Sequence, residues 1–428
     1  MRQQSADRGG RLPRKGPGGA LWRWTDRNIL ELGREMRVSY LPPLMVYMAA
    51  GISGLTSIVG TFFVKDFLGL SAAFLAALGF WAGIPWALKM PLGHLVDLIW
   101  RYKAWLVYLG AGMIACGLLI MIGLLSQPQV MAQVMPVEAW YVLSVLLSPV
   151  GYVVQDVVAD AMTVEAVPRV DDEGRPVDAG TRRLMHTTMQ TLGRVAIIGG
   201  GILVSLANVF LFAGVQGMSE ADKLSTYILI YEMALIIPAI SVLGVVLAGI
   251  LRRRDLQRLQ RQGMELAQAL HLVDGNPEAA APNWWILGGS LVFVVFTLTL
   301  GLGDLPYNQE IIFAGSMIII LFLMSRLVRV LERDAKMFLV GTALVIFAFR
   351  AMPNPGPGQT WWMIDELTFD QQFLSVLSLI GSTLTLLGMF IFRRVMAERS
   401  ISYVVVFLTL ASTCLLYTSD AADDDRIV

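Results

Sequence analysis

The sequence predicts an all-α polytopic membrane protein, and three observations lead to that fold class. The chain of 428 residues is 56% hydrophobic and only 15% charged, whereas a soluble domain carries about 25% charged residues. Long apolar runs recur along the chain, and most reach the roughly 20 residues that a helix needs to cross the hydrocarbon core. The connections between these runs alternate between basic and nearly uncharged stretches, as expected of a chain that crosses a membrane repeatedly.

The apolar runs predict ten membrane-spanning helices and the start of an eleventh near residue 400. The predicted spans are residues 40–64, 71–97, 104–125, 138–166, 187–213, 225–250, 285–304, 311–330, 337–352 and 371–392.

Lysine and arginine are concentrated at the N-terminus and in every second connection. The connection after the sixth span reads "RRRDLQRLQR", whereas "SQPQVMAQVMPVE" and "GDLPYNQE" contain no basic residue. By the positive-inside rule, the basic side is the cytoplasm. We therefore expect a multi-pass protein with a cytoplasmic N-terminus. The membrane we expect is a cell membrane, namely a bacterial inner membrane.

The longest internal connection sets the predicted domain organisation. Residues 1–39 form a cytoplasmic segment that ends in an amphipathic helix, which lies on the membrane surface or is an ordinary solvated helix. Residues 40–251 form a six-helix bundle, and residues 252–284 form a cytoplasmic linker. Residues 285–413 form an incomplete C-terminal bundle. Two halves of six helices around a long linker are typical of major facilitator transporters, whose halves are pseudo-repeats.

The last residues depart from this pattern. The eleventh run, "ISYVVVFLTLAST", is too short to cross the membrane before the sequence becomes acidic. The stretch "CLLYTSDAADD" resembles the translation of a transposase adapter used in DNA sequencing libraries. We interpret residues 414–428 as a non-native tail and the C-terminal half as truncated; the alternative is a native acidic tail.

The sequence contains little of the chemistry that enzymes and metal proteins use. Two cysteines, Cys116 and Cys414, do not make a disulfide framework, and no zinc or iron–sulfur spacing is present. No Ser–His, metal-ligand or nucleophile–base grouping occurs within the predicted spans. We therefore predict no metal, no cofactor, no nucleic-acid partner and no enzymatic activity.

Charged residues inside the predicted spans are the strongest functional signal. A charge at the bilayer centre costs at least about 2.5–3.5 kcal/mol, so such residues normally face a cavity or a partner. Lys89 and Asp156 each lie about 27 Å along their helices, and Arg194 lies about 10 Å into its helix from the opposite side. Asp156 and Asp160 share a helix face because they are four residues apart. The four side chains are predicted to form one cluster.

Two interpretations of this cluster remain open. In the functional one, Asp156, Asp160 and Gln155 couple protons to a substrate whose anionic group Lys89 and Arg194 bind. Desolvation raises the pKa of a carboxyl group and nearby cations lower it, so filling the site would move a proton equilibrium. In the structural one, the cluster is a static salt-bridge network between helices. The candidate substrate-lining residues are Trp81, Trp86, Tyr152 and Arg350, although tryptophan in membrane helices is more often an interface anchor.

The stretch "PLGHLVDLIWRYKAW" resembles the Gly-x-x-x-Asp basic motif of the major facilitator superfamily. It predicts a cytoplasmic gate in which Gly93 permits close helix contact and Asp97 faces a helix N-terminus. Arg101, with Lys103 nearby, pairs in this prediction with Glu165 or Asp160 at the end of the fourth helix. The alternative is that these are ordinary juxtamembrane charges.

Within that superfamily, three runs are similar to the folate–biopterin transporter family. They are the segment from Phe62 to Asp97, the helix "QDVVADAMTVE", and the segment from Phe349 to Gly388, which contains Arg350, Pro353, Glu366 and Phe369. The AmpG-type muropeptide permeases also have a Gln-Asp-x-x-x-Asp helix, matched here by Gln155, Asp156 and Asp160. The chain departs from the folate–biopterin pattern in two places. Met90 separates Lys89 from Pro91, and the usual pair of arginines after the gate motif is reduced to Arg101 and Lys103.

The resemblance implies a proton-coupled transporter of a small organic solute, of the pterin or folate class and anionic, that works by alternating access. The expected partners are that solute, protons and the lipid bilayer, and the expected state is a monomer. The alternatives are a muropeptide or other small-solute permease, and a non-transporting membrane assembly factor.

Overall fold

A computed structural model of the chain describes residues 25–26, 30–170, 175, 177–274, 282–301, 303, 306–329, 331–351 and 356–424. Over these residues the secondary structure is helical and contains no β-strand. Nine helical segments in this part of the chain are long and apolar enough to cross a membrane, which confirms the predicted all-α polytopic membrane fold. They are Val38–Phe67, Ala72–Leu98, Ala104–Ser126, Val137–Ala166, Ala179–Gly217, Glu220–Arg261, Trp284–Gly301, Asn308–Arg326 and Gln371–Arg393.

The α-helices are labelled in chain order. They are α1 Glu31–Arg34, α2 Leu41–Ile52, α3 Ser57–Phe62, α4 Ala72–Ala87, α5 Lys89–Leu98, α6 Ala104–Ser126, α7 Pro128–Ala132, α8 Val137–Ala166, α9 Ala179–Leu211, α10 Glu220–Ala234, α11 Ile236–Arg261, α12 Leu266–Asp274, α13 Trp284–Gly301, α14 Asn308–Val328, α15 Arg333–Arg350, α16 Gly356–Asp365, α17 Gln371–Glu398 and α18 Ile401–Asp424. Shorter 3-10 or π-helical segments join some of them, at Val38–Tyr40, Ser53–Thr56, Phe63–Phe67, Trp100–Tyr102 and Val215–Gly217.

The second predicted span is broken at Leu88, between α4 and α5. Pro85 and Pro91 flank the break, and each proline lacks the N–H group that an uninterrupted helix would use. The N–H of Leu88 donates to the carbonyl oxygen of Pro85 at 3.1 Å, a tighter turn than the α-helical one. The break makes Lys89 the first residue of a new helix within the span.

The fifth and sixth spans are longer than predicted. α9 begins at Ala179 because Asp178 caps it, accepting a hydrogen bond from the N–H of Thr181 at 3.0 Å. The hydrogen bonds from Thr181 lower the pKa of the Asp178 carboxyl group. α11 continues the sixth span through the basic run to Arg261, which lies within the predicted linker. The helical chain of the linker is then interrupted at Gly263, whose φ is +87°. A left-handed backbone of this kind favours glycine at a helix end.

The C-terminal segments differ from prediction in two places. The predicted ninth span is present as α15, but it is not among the nine apolar segments, because it begins with Arg333 and Asp334 and ends with Arg350. α18 is helical to Asp424, although its apolar stretch ends at Cys414. The non-native origin of residues 414–428 and the domain boundaries stay predictions. Most of the predicted N-terminal amphipathic helix and of the Pro/Ala linker lies outside the described residues.

Glycine contacts bring the helices of the first six spans together. Gly110 of α6 and Gly151 of α8 face each other so closely that a Cβ atom on either would lie 2.6 Å from the carbonyl oxygen of the other. Gly200 of α9 packs against the backbone of Gly51, as the run "IIGGGILVSLAN" predicts for small-residue packing. Apart from Phe390, the buried members of the three apolar clusters in the described chain precede residue 246. The tight interior therefore belongs to the first six spans.

The segments after residue 355 attach to this interior along α9, and several polar contacts lie at the end of the bundle opposite the basic connections. Lys65 forms an ion pair with Asp365 of α16 at 2.5 Å. The amide nitrogen of Gln371 donates to the hydroxyl of Tyr227 at 2.8 Å in a buried contact. α17 packs along α9, with the hydroxyl oxygens of Ser205 and Ser378 3.0 Å apart. These contacts hold the two parts of the chain together at this end.

Candidate functional site

Lys89 lies between two carboxylates of α8. Its Nζ atom is 2.5 Å from Asp156 Oδ2 and 2.9 Å from Asp160 Oδ2. The helix break at Leu88 presents Lys89 to α8, and the four-residue spacing places both carboxylates on the same face of that helix. The structure therefore brings together three members of the predicted cluster.

The two carboxylates differ in their surroundings. The Asp156 side chain is 15% exposed and has Lys89 as its ion-pair partner, whereas the Asp160 side chain is 48% exposed. Asp160 also accepts a hydrogen bond from the hydroxyl of Tyr47 at 2.6 Å. Asp156 is therefore the more buried of the two carboxylates, and Lys89 is its charged partner.

Tyr47 is a site residue that the sequence analysis missed. It lies in α2 and is 6% exposed, and its ring packs next to Gly193 of α9. A single tyrosine in an apolar run has no spacing that separates it from ordinary core aromatics.

A cavity of about 370 Å³ surrounds the cluster. Its charged lining residues are Lys89, Arg194, Asp156 and Asp160, and it is also lined by Tyr47, Ser53, Trp86, Tyr152, Gln155 and Gln190. Arg194 is exposed to this cavity and forms no ion pair with any residue that the structure describes. All four predicted charges therefore line one cavity, but Arg194 is a neighbour of the ion pair rather than a member.

A second, larger cavity of about 1130 Å³ lies toward the basic connections. Lys89 and Asp160 line both cavities, whereas Asp156 and Arg194 line only the smaller one. The Lys89–Asp160 ion pair therefore forms part of the wall between the two spaces.

Gln155 is 2% exposed, and its amide connects three helices. Its nitrogen donates to the carbonyl oxygen of Val107 on α6 at 3.3 Å, and its oxygen accepts from the Ser241 hydroxyl on α11 at 2.9 Å. Both polar groups thus have protein partners, so the geometry favours a positioning role beside Asp156 over direct contact with a solute.

We expect Gln155→Leu to lower the free energy of unfolding by about 1–3 kcal/mol, because it leaves the buried Ser241 hydroxyl without its acceptor. The matched control is Gln190→Leu, since Gln190 lines the same cavity but is exposed and makes only a 3.4 Å hydrogen bond to Thr163. Thermal unfolding of the detergent-purified variants measures the difference. Equal stability of the two variants would contradict this role.

The four predicted substrate-lining residues divide into two groups. Trp86 and Tyr152 line the smaller cavity. Trp81 does not; its ring lies against Gly301 of α13, because that glycine leaves room for it. Arg350 is exposed at the end of α15 and lies outside both cavities. Trp81 and Arg350 therefore line neither of these two cavities, and their substrate-lining role stays a prediction.

The ion pair predicted for the gate motif forms with a different basic residue. Lys103, not Arg101, forms the ion pair with Glu165, and its Nζ lies 3.8 Å from the centre of the Trp100 ring. The reason is the 3-10 turn Trp100–Tyr102, which leaves Arg101 exposed and directs Lys103 toward α8. Asp160, the other predicted partner of Arg101, is engaged by Lys89.

Gly93 and Asp97 both line the larger cavity. Beyond its own helix, no described atom lies within 4 Å of a Cβ built on Gly93, so the predicted close helix contact at this glycine is not formed in this conformation. Asp97 is exposed and makes no hydrogen bond or ion pair with the part of the chain that the structure describes. The predicted contact of Asp97 with a helix N-terminus is therefore not formed in this conformation.

The cluster consists of ion pairs that water can reach. The Lys89 side chain is 41% exposed, so water reaches the ion pair from the cavities. A proton on either carboxylate, or an anion at Lys89, would redistribute the contacts within the cluster. Among the described residues, no group of three or more His, Cys, Asp or Glu side chains is placed to hold a metal ion.

Comparison with known proteins gives one partial similarity. The chain is 30% identical over 147 residues to a protein named folate-biopterin transporter from Synechocystis sp. (strain ATCC 27184 / PCC 6803 / Kazusa). The match covers 33% of this chain and 28% of that protein. No protein-family model and no solved structure matches the chain.

Proposed function

We propose that this chain is a proton-coupled secondary transporter that moves a small organic anion of the pterin or folate class by alternating access. The observation that carries the proposal is the position of Lys89, held between Asp156 and Asp160 at the wall of a cavity inside an apolar helix bundle. The name of the Synechocystis relative supports the solute class. The aromatic lining residues Trp86 and Tyr152 suit a flat heteroaromatic ring.

Charge balance in the smaller cavity supports proton coupling. With both carboxylates ionised, two cations (Lys89 and Arg194) balance two anions (Asp156 and Asp160) among its lining residues. An arriving solute anion would add an unbalanced negative charge in a region where water is scarce. Protonation of one carboxylate restores neutrality, because a nearby like charge favours the protonated form. Binding of one anionic group therefore favours uptake of one proton.

The distribution of contacts supports alternating access. The ion pair of Lys65 with Asp365 and the buried Gln371–Tyr227 hydrogen bond close one end of the bundle. The larger cavity lies at the other, basic end. In our proposal this conformation faces the side that carries the basic connections, which the positive-inside rule assigns to the cytoplasm. Transport then requires the closed contacts to break and the basic end to close.

A stability screen tests the solute class. We expect folate and pterin each to raise the unfolding midpoint of the purified chain, because a ligand at 100 times its Kd stabilises the folded state by about 2.7 kcal/mol. Folate and pterin should displace each other. Ligand stabilisation should be lost in Lys89→Met and retained in Arg253→Gln, because Arg253 lies outside both cavities.

Two results would replace the proposal. Stabilisation by an anhydromuramyl peptide, with none by folate or pterin, would assign the chain to the muropeptide permeases. Purification with a stoichiometric protein partner, together with no uptake in vesicles, would support a membrane assembly factor.

A further inference from the structure

The larger cavity is built from several separate parts of the chain at the basic end of the bundle. Its walls come from α5, the end of α8 with residues 167–170, the polar half of α11, and α12. At about 1130 Å³ it is roughly three times the size of the cavity around Lys89 and slightly above the usual range for small-molecule sites. It has room for a complete organic molecule.

The described lining of this cavity carries more positive than negative charge. Six basic residues line it, namely Arg37, Lys89, Arg169, Arg254, Arg258 and Arg261, against four carboxylates, Asp97, Asp160, Glu165 and Asp255. Two of these carboxylates already have basic partners, Lys89 for Asp160 and Lys103 for Glu165. The lining therefore has two more basic residues than carboxylates. Lys103, which does not line the cavity, also neutralises the carboxylate of Glu165.

The arginines of α11 face the cavity as a stripe. Arg254, Arg258 and Arg261 recur at the spacing of one and two helical turns, and all three line the cavity. Arg253, the immediate neighbour of Arg254, points elsewhere and does not line it. Helix geometry thus selects some arginines of the basic run for the cavity and leaves others on the outer surface.

Arginine is suited to carboxylate and phosphate groups because its planar guanidinium donates two parallel hydrogen bonds to them. The same cavity has apolar walls, including Val96, Val157 and Leu251. Such a combination fits a molecule with an apolar or aromatic body and one or more anionic groups.

We propose that the larger cavity is a second binding site for an organic anion, at which the solute is held before or after its passage by Lys89. The link to passage rests on the proposed transport function, whereas anion binding in this cavity does not. Anionic lipid headgroups have the same charged chemistry, but the enclosing walls of α11 and α12 favour a free solute.

Charge-selective labelling tests the electrostatic part of this proposal. Val164 lines the cavity and is 51% exposed, so Val164→Cys, with Cys116 and Cys414 replaced by serine, places one thiol there. We expect a sulfonate-bearing methanethiosulfonate to react faster than its trimethylammonium analogue. Arg254→Gln with Arg261→Gln should reduce that rate ratio about three- to tenfold, and added salt should reduce it as well.

Matched variants separate charge from folding. Arg253→Gln removes one charge from the same helix outside the cavity and should leave the ratio unchanged. Replacement of Arg254 and Arg261 by lysine should keep it. A ratio near one in the parent protein, or the same loss in the Arg253 variant, would overturn the proposal.

Protection of the thiol tests binding. Benzene-1,3,5-tricarboxylate should slow labelling by both reagents, and the uncharged benzene-1,3,5-tricarboxamide should not. The protection should persist in Asp156→Asn, because Asp156 does not line this cavity, so the site can be shown even if coupled transport fails. Equal protection by the tricarboxylate and the tricarboxamide would overturn the proposal. Protection of the thiol by phosphatidylglycerol in nanodiscs, with none by the tricarboxylate, would also overturn it.

Discussion

Gly151→Val is expected to prevent the native packing of α6 against α8. A Cβ atom on Gly151 would lie 2.6 Å from the carbonyl oxygen of Gly110 and 2.8 Å from Cγ1 of Ile114. Overpacking usually costs about 1–3 kcal/mol, and here the obstacle includes backbone, which does not move aside as a side chain does. We therefore expect a loss at or above about 3 kcal/mol, among the largest of any single substitution in this protein. Size-exclusion profile and thermal unfolding in detergent measure it.

The control for this prediction lies on the same helix pair. A Cβ atom on Gly112 of α6 would have no other atom within 4 Å, so Gly112→Val should leave folding nearly unchanged. If both variants fold equally well, the contact between Gly110 and Gly151 is not a determinant of the fold.

Asp156→Asn is expected to abolish proton-driven accumulation of the solute, by about a hundredfold or more, while solute exchange across the membrane continues. The substitution removes the carboxyl group to which we assign proton exchange in the proposed mechanism, but it keeps the shape of the side chain. Uptake into proteoliposomes with and without a pH gradient measures the accumulation, and counterflow measures the exchange. Asp160→Asn should have a smaller effect, because Asp160 is 48% exposed.

The stability of the Asp156→Asn variant distinguishes a proton-coupling role from a static salt-bridge network. Breaking a fully buried ion pair costs about 3–5 kcal/mol, whereas exposed pairs contribute about 0–1 kcal/mol. Lys89 is 41% exposed, so the coupling role predicts a small stability change with loss of accumulation. A large loss of stability with normal proton-driven accumulation in the surviving protein would show that the cluster is structural.

The sequence predicted the cluster because its main signal is geometric. The fixed rise per residue of a helix placed Lys89 and Asp156 at one depth, and a four-residue spacing placed Asp160 beside them. The helix break at Leu88 was not predicted. Tyr47 was missed because its partner depends on how α2 packs against α8, which the sequence of α2 alone does not contain.

The gate was predicted less well, since it depends on a turn. Arg101 was assigned as the partner of α8 from the resemblance to the gate motif. The 3-10 turn before Ala104 shifts that role by two residues to Lys103. Gly93 was assigned a contact from a motif, but only the three-dimensional packing determines whether a helix approaches it.

The membrane-spanning helices followed directly from the length of the apolar runs, and their ends did not. Capping by Asp178 and the continuation of α11 through its basic run extend two spans beyond the hydrophobic stretch. Hydropathy records where lipid surrounds a helix, while hydrogen bonding determines where the helix stops.

In the proposed transporter, the position of the Lys89–Asp160 pair between the two cavities also bears on the leak of ions across the membrane. The two charges of this pair neutralise each other, so the pair offers a bare inorganic ion little compensation for the water that the ion loses between these spaces. In the proposed transporter, a solute that carries an anionic group together with a proton would cross this level without net charge. The same pair would then favour cargo over the ion leak that dissipates a membrane potential.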